Sequence, residues 1–155
     1  MTPAINIAKK AGIAYQIHSY THDPLCESYG TEASEKLGIP AERVFKTLVV
    51  LIDSKVMAVA VIPVSSMLSM KQIAKAAGGK KAEMAAGADV ERSTGYILGG
   101  VSPLGQKKRL KTFIDASAEN FASIYVSAGR RGLEIDLNPN DLRTLSNGMF
   151  ASLCG

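Results

Sequence analysis

Residues 93–109, Ser-Thr-Gly-Tyr-Ile-Leu-Gly-Gly-Val-Ser-Pro-Leu-Gly-Gln-Lys-Lys-Arg, carry the strongest chemical signal in this chain. Gly95, Gly99, Gly100 and Gly105 place four glycines within eleven residues, together with Pro103. Glycines at this density let backbone N–H groups approach a ligand with no side chain in the way. Pro103 fixes one φ angle, so the loop has a defined shape. Lys107, Lys108 and Arg109 follow directly, with Lys111 close behind. The combination suits a loop that holds an anion or a carbonyl oxygen beside a phosphate-attracting patch. A tight structural turn is the ordinary alternative, and the glycine and proline density favours the ligand-facing loop.

Two named chemistries fail on spacing. Gly100 and Gly105 have the gap of a P-loop, but Gln106-Lys107 stands where Lys-Ser/Thr must touch phosphate and magnesium. The residues that follow also read as strand, whereas a P-loop opens a helix. Gly100-Val101-Ser102-Pro103-Leu104-Gly105 is not a nucleophile elbow either, which needs Gly-x-Ser-x-Gly. What remains is a rigid loop with free amides for a carbonyl oxygen or a developing oxyanion.

Lys46 is the second anomaly. It interrupts the apolar run 45–52 on the face shared with Leu48, Val50 and Ile52. Such a lysine either snorkels to the sheet edge or faces a polar pocket, and the sequence leaves both open. In a pocket its ammonium would pair with phosphate or polarise a carbonyl.

His18, His22 and Cys26 recur every four residues, a spacing that lines one face only in a helix. Pro24 and the strand pattern before it oppose a helix, so no metal or cofactor is expected. No Ser-His-Asp or Cys-His order stands out. Asp136 alone reads as a solvated or hairpin-pairing residue.

The elements that must position these groups follow from the pattern. Thr2-Pro3 starts a helix that Gly12 stops. Residues 13–20 alternate as a strand, with Ile13, Tyr15 and Ile17 on one face and Gln16, His18 and Tyr20 on the other. His22-Asp23-Pro24 is a turn, and Thr31 to Leu37 is a short helix ending at Gly38. Phe45 to Ile52 is apolar on both faces, hence a central strand. The short Asp53-Ser54 turn makes a hairpin with Val56 to Ile62. Ser69-Met70-Lys71-Gln72 has capping-box spacing and opens a helix that ends at Gly78-Gly79.

Further along, Lys80 to Met84 reads as a short strand and Ala88 to Arg92 as a helical turn. Arg109 to Ile114 and Ile124 to Ser127 read as strands. Residues 128–132 join the latter to Leu133–Leu137 as a hairpin with a glycine bulge. Asn138-Pro139 caps a last helix. This pattern predicts one α+β domain over residues 1–155 on a mixed sheet.

Composition agrees. The chain has 155 residues, enough for one proper core, with 46% apolar, 21% charged and a net charge of +4. No apolar run is long enough to span a bilayer, and Met1 leads straight into a capped helix, so no membrane association or signal peptide is expected. Cys26 and Cys154 read as reduced thiols of a cytoplasmic protein.

Taken together, the motifs resemble the YbaK family of free-standing aminoacyl-tRNA deacylases, relatives of the editing insertion domain of bacterial prolyl-tRNA synthetase. The matching pieces are Met1-Thr2-Pro3-Ala4, His22-Asp23-Pro24, Phe45-Lys46-Thr47-Leu48, Ser93-Thr94-Gly95-Tyr96 with residues 99–109, Ile124-Tyr125-Val126-Ser127 and Arg131-Gly132-Leu133. They run in order along nearly the whole chain. Within the family the chain is most similar to the branch that hydrolyses Cys-tRNA(Pro).

The resemblance implies a mixed, barrel-like sheet surrounded by helices, with the pocket between the lysine strand and the loop from Gly99 to Pro103. It implies cleavage of the ester joining cysteine to the tRNA 3′ end, with the substrate's own thiol attacking its carbonyl to release a thiolactone. An intramolecular thiol already holds its proximity advantage. In that scheme Lys46 contacts the terminal adenosine or its phosphate, and the amides of Gly100, Val101 and Ser102 hold the carbonyl oxygen. Tyr20 and Asp136 contact the aminoacyl group; Tyr29, Thr47, Gly99, Pro103, Ser127 and Gly129 complete the substrate site. Lys107, Lys108, Arg109 and Lys111 steer the acceptor stem without reading its sequence. Selectivity among tRNAs is expected from association with prolyl-tRNA synthetase, while the oligomeric state is left open.

Three positions depart from the family pattern: Tyr29 replaces phenylalanine, Ala128 replaces glycine, and Cys26 is an additional thiol. They bear on amino-acid specificity more than on the class of activity. The competing readings are a deacylase for Ala-tRNA(Pro) or another small aminoacyl-tRNA by water attack, and a non-catalytic module that binds tRNA ends or nucleotides.

Overall fold

The computed structural model describes residues 1–26 and 29–155, and the side chain of Tyr29 lies outside the described residues. The chain forms an α+β fold with the elements α1 (Pro3–Ala11), β1 (Tyr15–Ser19), α2 (Tyr29–Leu37), β2 (Phe45–Ile52), β3 (Val56–Pro63) and α3 (Met70–Ala76). These are followed by β4 (Ala82–Met84), α4 (Gly87–Thr94), β5 (Lys111–Asp115), β6 (Ile124–Arg130), β7 (Leu133–Leu137), α5 (Pro139–Ser146) and β8 (Met149–Ala151). A 3₁₀ turn, Ala116–Asn120, links β5 to the chain before β6.

Local chemistry sets the ends of these elements. The Thr2 hydroxyl caps α1 by accepting from the Ile5 amide, and it donates to the Ala128 carbonyl. Gly12 closes that helix at φ 70°. Asp53 and Ser54, at φ 51° and 57°, make the tight turn that fixes the β2–β3 register.

The strands form two sheets and do not close into a barrel. One is three-stranded in the order β1-β7-β6, and the other is five-stranded in the order β4-β2-β3-β5-β8. β2 pairs antiparallel with β3 and β4, whereas β5 runs parallel to both β3 and β8. A single parallel bridge, Val44 to Tyr125, joins the sheets among the described residues. One bridge is no continuous ladder, so the expected barrel-like closure is absent.

β2 lies centrally because both its faces are covered. Phe45 and Val49 belong to the main core with Val59, Val61, Ile114, Val126 and Ile135. Val50 and Ile52 belong to a second core with Ile62, Ile73, Phe113 and Leu153. β1 is an edge strand and departs from its predicted facing: Ile17 stays exposed while His18 is half-buried. The predicted bulge in the β6–β7 hairpin is present, as a register shift between Ser127 and Arg130.

Candidate active site

A cavity of about 520 Å³ opens between β2, the glycine loop and the β6–β7 hairpin. β2 contributes Lys46, Thr47 and Val49, and the loop contributes Leu98, Gly99 and Val101. Ser127, Glu134, Tyr20 and Thr31 complete the polar part of the lining. Lys46 and the glycine loop therefore share one cleft.

Lys46 is half-buried and forms no ion pair or hydrogen bond with the described residues. Beside it, the Thr47 hydroxyl is buried with no hydrogen-bond partner among them. A buried hydroxyl without a partner costs free energy.

The loop is held by its own bonds. The Gly100 amide donates to the Ile97 carbonyl at 2.9 Å, so that N–H is committed to a turn. The amides of Val101 and Ser102 donate to no acceptor among the described residues. Ser102 Oγ accepts from the Leu104 amide at 3.2 Å, and Gln106 Nε2 donates to the Ser102 carbonyl at 2.9 Å. The Tyr96 hydroxyl donates to the Leu104 carbonyl at 2.6 Å, and burial pushes that phenol up to about 12. Amides of Lys107 and Lys108 bond back to Thr94 and Ser93, closing the loop at its base.

Glu134 was not singled out by sequence reasoning. It is only 6% exposed, lines the cavity, and burial pushes its carboxyl up to about 8. Burial thus favours the protonated form of this group. Tyr20 is likewise pushed up to about 12, by burial first and then by the charges of Glu134 and Glu32.

The segment bearing Tyr20 is pinned to α2 through Glu32. That buried carboxylate accepts from the Asp23 amide at 2.7 Å and from Lys36 Nζ at 2.9 Å, and pairs with His22 Nδ1 at 2.6 Å. Burial alone would raise it, but these partners outweigh burial and hold it at about 2.

Other predicted positions lie apart from this cavity. Asp136 pairs with His18 Nε2 at 2.8 Å and is not in the lining. Pro103 is buried on a second cavity of about 100 Å³, with Lys108 and Arg109. Gly129 lies under Tyr96, where a β-carbon would come within 2.9 Å of the ring. Gly100 and Ser102 are buried behind the lining. Lys107, Lys108, Arg109 and Lys111 are all exposed. Tyr29, as a side chain, lies outside the described residues.

Fold and site define an α+β domain with an open cavity lined by a lysine, part of a glycine loop and a buried carboxyl group. The chain belongs to the aminoacyl-tRNA editing domain family, whose model matches residues 23–145. It is 46% identical over 120 residues to EbsC of Enterococcus faecalis (strain ATCC 700802 / V583), described as a candidate Cys-tRNA(Pro)/Cys-tRNA(Cys) deacylase. That match covers 77% of this chain and 73% of EbsC. It is also 26% identical over 115 residues to the uncharacterized protein YwhH of Bacillus subtilis (strain 168), covering 74% and 73%.

Solved structures share the fold. A protein described as a candidate trans-editing enzyme for prolyl-tRNA synthetase superposes with a TM-score of 0.83 at 18% identity, covering 100% of this chain and 99% of that one. The hypothetical protein APE2540 superposes at 0.87 with 22% identity, covering 99% of each.

Proposed function

We propose that this protein is a trans-editing hydrolase that deacylates Cys-tRNA(Pro), and Cys-tRNA(Cys) as well. The observation that carries this reading is the shared cleft of Lys46 and the Gly99–Val101 loop. Membership of the editing-domain family and the likeness to EbsC support it.

The chemistry needs no nucleophile from the protein. The substrate thiol attacks its own ester carbonyl carbon, a C–S bond forms, and the C–O bond to the ribose breaks. The thiol proton ends on the departing ribose oxygen, leaving free tRNA and a cyclic thiolactone. Lys46 contacts the terminal nucleotide and orients the ester. The amide of Val101, the loop N–H that lines the cavity without an acceptor of its own, holds the carbonyl oxygen as negative charge develops on it. Thr47 and Ser127 line the wall around the aminoacyl group. Glu134 and Tyr20, both protonated at neutral pH, offer donors to the same chamber. A substrate ammonium beside Glu134 would favour its ionised form, so binding and deprotonation of this group are coupled.

The exposed cations Lys107, Lys108, Arg109 and Lys111 attract the acceptor stem without selecting its sequence. Selectivity for tRNA(Pro) then comes from association with prolyl-tRNA synthetase. Purified protein incubated with Cys-tRNA(Pro) and with Ala-tRNA(Pro) tests the proposal. Loss of the cysteinyl ester alone supports thiol attack, and loss of the alanyl ester alone overturns it in favour of water attack.

A further inference from the structure

The cavity mixes polar groups with buried apolar walls such as Phe45, Val49 and Val90, and part of its lining is apolar side chains left in water. Met84, the last residue of β4, is 50% exposed, and Leu98 is 42% exposed; both line the cavity. A lone exposed leucine needs no explanation. Leu98 differs because its backbone is fixed on both sides. Its N–H donates to Glu91 Oε2 at 3.0 Å, and its carbonyl accepts from Arg131 Nε at 2.9 Å. Its side chain rests on Gly87, where a β-carbon would stand 2.9 Å from Leu98 Cδ1. An exposed apolar group held in three ways is pre-organised surface, and pre-organisation lowers the cost of binding.

The occupant follows from what the cavity must hold. Its 520 Å³ falls within the range of about 300–1000 Å³ that accommodates a whole small ligand, more than a cysteinyl group fills. The ester carbonyl is bonded to a ribose, and that ribose carries a flat nucleobase. With the aminoacyl group against Thr47, Ser127 and Glu134 and the ester oriented by Lys46, the exposed part of the lining, Met84 and Leu98, is left for the base.

We propose that Leu98 and Met84 form a subsite for the 3′-terminal nucleobase of tRNA, bound through its ring face. The Met84 thioether adapts to a planar partner, and Leu98 supplies the fixed wall. Neither side chain carries a hydrogen-bond donor, so the base is held and its edges are not read. This subsite rests on the deacylation proposed above.

The test compares wild type with Leu98→Ser and Met84→Ser on two substrates. One is Cys-tRNA(Pro), and the other is the same molecule with its terminal nucleotide made abasic. Wild type is expected to lose roughly tenfold in kcat/KM on the abasic substrate, mainly through KM. Leu98→Ser is expected to lose a similar factor on intact substrate and nothing further on the abasic one. Equal losses on both substrates, or no loss on the intact one, would overturn the subsite.

A second readout is independent of turnover. Adenosine 5′-monophosphate is titrated into the protein while the methyl signals of Leu98 and Met84 are followed by NMR. Saturable shifts of both methyls are expected, and their absence overturns the subsite even where deacylation is observed. Methyl shifts without turnover of any aminoacyl-tRNA would overturn the deacylase reading and leave the subsite standing.

Discussion

Gly100 lies so close to Arg130 that a β-carbon on it would stand 2.7 Å from the Arg130 Cα. The glycine loop therefore rests directly on the turn of the β6–β7 hairpin, with backbone against backbone. This contact sets the height at which Gly99 and Val101 enter the cavity opposite Lys46. A backbone neighbour cannot swing aside as a long side chain can.

Gly100→Ala is thus expected to lift the loop off the hairpin. Overpacking of this kind costs about 1–3 kcal/mol, which lowers Tm by several degrees in a domain of this size. Deacylation should fall further than stability does, because amides displaced by a fraction of an ångström no longer meet the carbonyl oxygen. Thermal unfolding and kcat measured on the same preparation check both halves.

Lys46→Ala removes a cation that forms no ion pair or hydrogen bond among the described residues, its charge acting on the Cys154 thiol. The expected Tm is within a few degrees of wild type, while kcat/KM for Cys-tRNA(Pro) drops by about 10²-fold or more. A large loss of Tm would show that Lys46 supports the fold instead.

Glu134 gives stability a defined pH dependence. Its carboxyl rises from 4.5 to about 8 on folding, so the folded protein holds a proton that the unfolded chain has released between those values. Stability is then fully present below about 4.5 and falls as pH rises toward 8, by at most about 1.4 kcal/mol per pH unit. Glu134→Gln removes this slope. Its Tm should exceed that of wild type at pH 8 and approach it at pH 5.

Glu32 works in the opposite sense. Its carboxyl falls from 4.5 to about 2 despite burial, because the Asp23 amide, His22 and Lys36 favour the charged form. Its contribution is present above about 4.5 and lost as pH falls through about 2. Glu32→Gln should lower stability at pH 7 by about 2–3 kcal/mol, and by much less near pH 2. Urea unfolding at both pH values checks this.

Much of the fold is legible because single residues announce the ends of elements. Thr2-Pro3 and Gly12 bound α1, and Ser69 caps α3 through the Gln72 amide at 3.2 Å. The two-sided apolar run of β2 is central because two cores cover it. β8 carries no local signal: Met149–Ala151 is three residues long and, among the described residues, pairs only with its parallel neighbour β5. α4 runs from Gly87 to Thr94, longer than the expected turn, and its start has no side-chain cap to mark it. The barrel-like closure that the resemblance implies is absent, because the strands pair into two separate sheets.

At the site, Lys46 and the glycine loop stood out because their residue types break the surrounding pattern. Glu134 did not, since Leu-Glu-Ile-Asp-Leu reads as a strand with a solvated polar face. Counting back through the glycine bulge pairs Ser127 with Glu134, and that register was the available signal. Asp136, two residues on, shares the face but meets His18 instead of the cavity.

Thiol-assisted editing is tested by the fate of Cys-tRNA(Pro) with purified protein at neutral pH, with the released product identified by mass. Catalytic loss of the cysteinyl ester is expected, with free tRNA and cysteine thiolactone or its hydrolysis product. Cys-tRNA(Pro) that decays no faster with the protein than in buffer would contradict it.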